Sequence, residues 1–311
     1  MLPFVLCKKG IQNHEIQRKV IGLKKIPDFP CTYDNSVGIR EEVTKELNLV
    51  FPQAYKDRET MAAISLALKK HDNTDFCQLP FCHTVEGEAL GGCVNYGDGK
   101  TGPRAKEPIC YTPQDVLDLP EISYHTGRIH EVLKACESLS KQGETVVLEI
   151  AGPFTILNVL ADAAVTFKWL RKEPEAMKLI FDKLKAELLR YMEQACRAGV
   201  KIISYADSTG GVNIIGPVNM EKTVEQFTYP LLKEAHKILP RDMLIHLCPK
   251  TSLALISTGK AQWKEQPLSK TGLSYGNGME EMLGKARFVG EACIKDVGRR
   301  LEEAMKIIEI R

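Results

Sequence analysis

The 311-residue sequence has no apolar run approaching the roughly 18 residues that a membrane helix needs. Its opening, Met1-Leu2-Pro3-Phe4-Val5-Leu6-Cys7-Lys8-Lys9, is too short in apolar residues for a signal core and places its charges after them, so a cytoplasmic protein is expected. Charge of one sign is also missing. Forty-two Lys and Arg against 40 Asp and Glu leave a formal charge of +2, which supplies none of the basic field that nucleic acid binding requires. Glycine-rich phosphate loops are absent too, because Gly97-Asp98-Gly99 and Gly210-Gly211 lack both the strand-then-helix setting and the remaining glycines, and read as turns. No internal repeat or low-complexity tract is visible. Cysteine is plentiful at ten, yet the thiols are scattered with no metal-type pairs two residues apart. Without a secretory signal a disulfide framework is not expected, and each thiol is by default a small buried hydrophobe.

What is present is enough apolar sequence for a full core: 44% hydrophobic, 26% charged and 7% aromatic residues. The length suits one barrel of roughly 250 residues with an extension. Residues 1–70 are expected to be an N-terminal helical extension, ending in a stretch from Thr60 to Lys70 whose apolar positions recur at helical spacing. From 71 to 311, short apolar runs alternate with amphipathic helices. The strands expected are Phe76 to Phe81, Thr145 to Ile150, Lys201 to Tyr205, Met243 to Leu247 and Arg287 to Val289. Helices are expected from Pro174 to Ala198, stopped by Gly199, and from Val218 to Leu239, kinked or divided at Pro230. This alternation predicts an α/β fold, a (β/α)8 TIM barrel of eight parallel strands. The final Lys306 to Arg311 reads either as the closing strand or as the end of a helix from Leu301.

The strongest local signal is Leu244-Ile245-His246-Leu247-Cys248-Pro249, a buried-strand pattern closed by a strand-breaking proline. Residues two apart on a strand share a face, so His246 and Cys248 should project together from the C-terminal end of a barrel strand, where barrel enzymes place their chemistry. Imidazole and thiolate are both good zinc ligands, and a catalytic site needs one more from the protein while leaving a fourth position open. Alone, the pair reads equally well as a core histidine beside a buried thiol.

Further residues extend the pattern: Leu79-Pro80-Phe81-Cys82 with Glu88-Ala89, Ala151-Gly152-Pro153-Phe154-Thr155, Ala206-Asp207, and Ala286-Arg287-Phe288-Val289-Gly290. In this order and spacing the chain, from Leu79 to about Val289, resembles methylcobamide:thiol methyltransferases of the uroporphyrinogen decarboxylase superfamily. The resemblance implies a barrel whose zinc is held by the His246–Cys248 pair and a later cysteine, and a reaction in which a zinc-bound thiolate exchanges a methyl group with a corrinoid. A free thiol is a minority thiolate at neutral pH, and coordination to zinc deprotonates it. Pro249-Lys250 stand where that family has Gly-Asn. Cys293, just past the Arg287 to Val289 strand, is the candidate third ligand, with Glu149 or Glu88 as carboxylate alternatives. Asp207 is read as orienting the metal-bound histidine or as capping the next helix. Glu88 matches a family acid of the ligand shell or of acid/base chemistry, and Glu149 is a costly acid near the end of an apolar strand. Cys77, Cys82 and Cys93 are read as structural, with His83 structural or at the pocket edge. No cobalamin-binding run occurs, so the corrinoid is expected on a separate carrier protein, which is the expected partner beside a small thiol or methylated substrate.

Two other readings compete. A uroporphyrinogen decarboxylase-like enzyme would need an arginine-rich substrate loop, and residues 1–60 contain none. A non-catalytic protein that binds zinc and a corrinoid carrier would need a closed, four-ligand metal site.

Overall fold

A computed structural model describes residues 26–31 and 37–311; the remainder of the expected N-terminal extension lies outside the described residues. Ahead of the first strand come α1 (Glu41–Glu46), a short 3-10 turn at Gln53–Tyr55, and α2 (Arg58–Asp72). Asp57 starts α2 by accepting the Thr60 N–H at 2.8 Å, and Asn73 ends it in the left-handed region at φ 49°. Its buried face carries Met61, Ala62, Ile64 and Ala67.

β1 (Phe76–Leu79) leads into α3 (Val85–Ala89), a two-stranded excursion of β2 (Val94–Asn95) and β3 (Arg104–Ala105), then α4 (Pro113–Asp118) and α5 (Gly127–Lys141). β4 (Thr145–Ala151) is followed by α6 (Pro153–Leu160), α7 (Ala163–Lys172) and α8 (Pro174–Arg197), and then by β5 (Ile202–Ala206). α8 matches the expected helix to within one residue, its stripe of Met177, Ile180, Phe181, Leu184, Leu188 and Met192 buried against the sheet layer. After β5 come α9 (Val212–Thr223), a π-helical turn at Val224–Thr228 and α10 (Tyr229–Ile238). Pro230 follows the π turn directly, and the backbone stays right-handed helical at Thr223, Val224, Thr228 and Tyr229, so the expected division is a change of helix type ahead of the proline instead of a break in the chain direction. A sharper break lies at Gly216, with φ 77° before Pro217.

The last part runs through β6 (Leu244–Leu247), α11 (Pro249–Ser257), β7 (Ala261–Pro267), α12 (Tyr275–Met282), β8 (Phe288–Val289) and β9 (Ala304–Ile310). The architecture is the α/β class expected, of TIM-barrel type with a central parallel sheet. β1, β4, β5, β6 and β8 are neighbours in that order and all parallel. Six of the seven residues of β4 are buried, as a strand covered on both faces requires.

Eight parallel strands is a point to correct. Among the described residues five strands are parallel, and the sheet continues from β8 through β9 to β7 by antiparallel pairing, Ala261↔Ile310 to Pro267↔Ala304. No crossover helix separates β8 from β9, so the chain returns antiparallel. β7 shows why it was not seen as a strand: Gln262, Lys264 and Glu265 are exposed, and its pattern is that of a half-solvated ribbon. The segment Lys306 to Arg311 resolves in favour of the strand reading, with Ile310 as the last strand residue.

Candidate functional site

His246 lies on β6, paired in register with Ser204 of β5, and is 1% exposed. Its Nε2 is 2.9 Å from the Ala292 carbonyl and its Nδ1 is 3.2 Å from the Ser204 hydroxyl. A carbonyl only accepts, so Nε2 carries the proton and Nδ1 keeps a lone pair that faces Ser204. Burial pushes the imidazole down to about 4, leaving it neutral at physiological pH.

Cys248 begins α11, with Pro249 at the first helical position and the Thr251 N–H donating to the Cys248 carbonyl at 2.8 Å. Burial pushes its thiol up to about 12, and the neighbouring Cys293 and Cys31 thiols add to the rise. Cys293 is raised for the same first reason, with Cys31 and Glu149 contributing. The rim thus brings Cys248 and Cys293 into one electrostatic neighbourhood, together with Cys31, which the sequence reading passed over. Nothing around Pro30-Cys31 signals it, because the approach is made by the fold.

Asp207 follows β5 and is partly buried. Its Oδ1 accepts the Thr155 N–H at 2.8 Å and the Thr155 hydroxyl at 2.7 Å, and its Oδ2 accepts the Phe154 N–H at 3.3 Å. It therefore caps α6, the helix after β4, and not the helix that follows it in sequence. Burial outweighs these donors and pushes Asp207 up to about 6. Gly152 and Gly210 make room: a Cβ on either would come within 2.4 Å of an Asp207 atom.

Glu88 is held by partners the sequence did not reveal. Arg128 of α5, its side chain 2% exposed, pairs with the Glu88 carboxylate and donates to Thr84 Oγ1 at 2.6 Å and to Cys82 Sγ at 3.1 Å. The Tyr96 hydroxyl donates to Glu88 from the other side, and the guanidinium lies 5.2 Å from the Tyr96 ring centre. Two residues away, Glu86 is buried and accepts the Ala151 N–H at 2.8 Å, with burial raising its carboxyl.

Glu149 and His83 meet at the mouth of a cavity of about 730 Å³ that runs along the open edge of β1. Glu149 Oε2 is 3.8 Å from His83 Nε2, and Phe81, Cys82 and Lys295 line the same space. Burial holds His83 below its ordinary value, while Glu149 works in the opposite direction. His83 and Cys82 therefore face the cavity. Cys77 and Cys136 are buried thiols whose values burial raises, and Cys93 lies partly buried.

Zinc suits the donor types here, one imidazole with an available lone pair and two thiols on the same rim. The arrangement is not preassembled, since among the described residues no three His, Cys, Asp or Glu side chains are gathered closely enough to hold a metal. Ligation at Nδ1 would require the Ser204 hydroxyl to give way. The Ala292 carbonyl would then hold the far nitrogen, as an outer-shell partner does.

The chain is similar to known proteins of one family. The uroporphyrinogen decarboxylase (URO-D) family model matches residues 18–264. A protein named methylcobamide:CoM methyltransferase MtaA from Methanosarcina barkeri is 23% identical over 270 residues, covering 86% of this chain and 78% of that protein. A uroporphyrinogen decarboxylase from Photorhabdus laumondii is 26% identical over 190 residues, covering 57% of this chain and 49% of that one. The solved structure of a methyltransferase from Methanosarcina mazei superposes with a TM-score of 0.59 at 21% identity, covering 72% of this chain and 68% of that one, and so shares the fold. With the family model spanning most of the barrel and its strand-end histidine, cysteine and aspartate, the chain belongs to the uroporphyrinogen decarboxylase family.

Proposed function

We propose that this protein is a corrinoid-dependent methyltransferase, moving a methyl group between a corrinoid on a separate carrier protein and a zinc-activated thiol or related substrate. The observation that supports the reading is a neutral His246 with a lone pair at Nδ1 on β6, and the neighbouring thiols Cys248 and Cys293 just past the ends of β6 and β8, in a chain similar to proteins named methylcobamide:CoM methyltransferases.

His246 through Nδ1, Cys248 and Cys293 are the proposed zinc ligands. When bound, zinc would supply the Lewis acidity that keeps a substrate thiol as thiolate at neutral pH. The chain does the rest by position. The Ala292 carbonyl fixes the His246 tautomer. Asp207 locks the start of α6 against the end of β5, which sets the shape of the rim. Arg128 and Tyr96 hold Glu88 in place, and Glu149 with His83 stands at the cavity end as acceptor for the proton a thiol gives up. A cytoplasmic setting fits a site of reduced thiols.

The decarboxylase reading is weaker at the cavity itself. Among the described residues that line the cavity the one arginine is Arg40, and it pairs with Asp72 at 3.2 Å instead of standing ready as a bidentate partner for a substrate carboxylate.

The test is to load the protein with zinc and incubate it with methylcobalamin and a panel of thiols, following the absorbance of the corrinoid. Zinc-dependent demethylation that vanishes in His246→Ala supports the proposal. Reduced corrinoid with methylated donors tests the reverse direction. No transfer either way by a folded, zinc-loaded protein would overturn it and favour a binding role.

A further inference from the structure

At the end of the barrel opposite the thiol rim, a cavity of about 540 Å³ lies between α10 and the C-terminal ribbon. Ala286, Phe288 and Ile308 give it an apolar floor. The imidazole of His236 lies over Phe288, with ring centres 6.0 Å apart and planes 29° apart. Around this floor stand Lys233, Lys237, Lys285, Arg287 and Arg311, and among the described residues Glu309 is the one carboxylate side chain that lines it. That carboxylate is already engaged by Lys264 at 2.8 Å and Gln262 at 3.2 Å.

One cation here has a structural purpose. Arg287 donates to the Leu239, Pro240 and Met243 carbonyls of the turn between α10 and β6 at 3.0, 2.7 and 2.8 Å, which holds that turn in place. The other cations of the cleft take no part in that turn. Among the described residues neither Lys237 nor Lys285 is within ion-pair distance of a carboxylate; the charge of Lys285 is felt by Glu281, one turn earlier, which Ser269 engages. Burial, and then the Arg287 and Arg241 charges, hold His236 below its ordinary value. A flat apolar floor under a ring of predominantly positive side chains is complementary to one kind of ligand.

We propose that this cleft binds an amphipathic organic anion, its phosphate, carboxylate or sulfonate head between Lys237 and Lys285 and its flat apolar body against Phe288 and His236. The site stands apart from the methyl-transfer chemistry and does not depend on it.

The probe is 8-anilinonaphthalene-1-sulfonate, titrated into the folded full-length protein at low ionic strength while its fluorescence and the His236 ring resonances are followed. One saturable site that moves the His236 signals is expected. The dissociation constant should rise by about tenfold or more in Lys237→Glu/Lys285→Glu and stay within about twofold in Lys237→Arg/Lys285→Arg. If the charge-reversed protein does not fold, the same dependence is read on the unaltered protein as weakening at high salt. Binding indifferent to both charge reversal and salt, His236 resonances that do not move, or inorganic phosphate binding as tightly as the dye would each overturn the proposal.

Discussion

Asp207 reaches back across the sheet to Thr155, accepting its backbone N–H at 2.8 Å and its hydroxyl at 2.7 Å. A residue at the end of one strand therefore caps the helix that follows the neighbouring strand. The two βα units at the centre of the rim are tied through a single carboxylate, so changes at Asp207 should register first as stability and only through it as activity.

Asp207→Ala should lower unfolding stability by about 2 kcal/mol, the cost of losing a helix cap whose donors stay buried. Asp207→Asn should cost less, since one acceptor oxygen remains. Gly210→Ala should resemble the Ala variant, because its Cβ would fall 2.2 Å from Asp207 Oδ2. Urea unfolding of the three variants checks the order.

The same residue sets a pH dependence. Its folded value of about 6 lies above the ordinary 3.8, so between these the folded state holds a proton that the unfolded state has released. That contribution is complete at the acid end of the window and is lost as pH rises through about 6. The stability margin of the unaltered protein over Asp207→Asn should therefore narrow on going from about pH 4 to about pH 6.5, by up to about 3 kcal/mol. A margin that widens over this range contradicts the assignment.

Arg128 and Glu88 should be strongly coupled. Replacing Arg128 by Met strands a carboxylate beside a closed interior and should cost about 3–5 kcal/mol, while the double variant with Glu88→Gln should cost clearly less than the sum. A double-mutant cycle by thermal unfolding measures the difference. Additive losses would mean that the pair does not act as a unit.

Zinc retention should separate the rim thiols from the rest. Cys248→Ser and Cys293→Ser should each lower zinc affinity by about tenfold or more against a chelator, whereas Cys136→Ser, deep in the core, should not. Ser204→Ala removes the hydroxyl that occupies His246 Nδ1 and should leave zinc binding intact or tighter.

Glu149→Gln should keep zinc and fold but reduce thiol methylation by about 10²-fold, with the loss shrinking at higher pH where solvent accepts the proton. His83→Gln should act in the same direction. An unchanged rate in both variants would remove the pair from the reaction.

How far the sequence reaches is plain from particular elements. The helix from Pro174 was legible because its apolar stripe recurs at helical spacing and Gly199 stops it, and β4 because six apolar or buried positions run together. β6 was legible through its apolar run and His246, whereas Cys248, expected on the same strand face, lies one residue past the strand and begins α11. These are local properties, decided by residues close in the chain. β7 escaped because its exposed polar positions carry no hydrophobic period, and the antiparallel return of β9 depends on what lies beside it rather than on its own sequence. Only the tertiary structure decided which nitrogen of His246 is protonated, since the Ala292 carbonyl that fixes it lies 46 residues away. Only the tertiary structure turned Asp207 toward Thr155, 52 residues back, and buried Arg128 against Glu88. The strand ends and the types of their chemical groups follow from local pattern, while partners, protonation and the neighbourhood of Cys31, Cys248 and Cys293 follow from burial and distance, which exist only once the chain is folded.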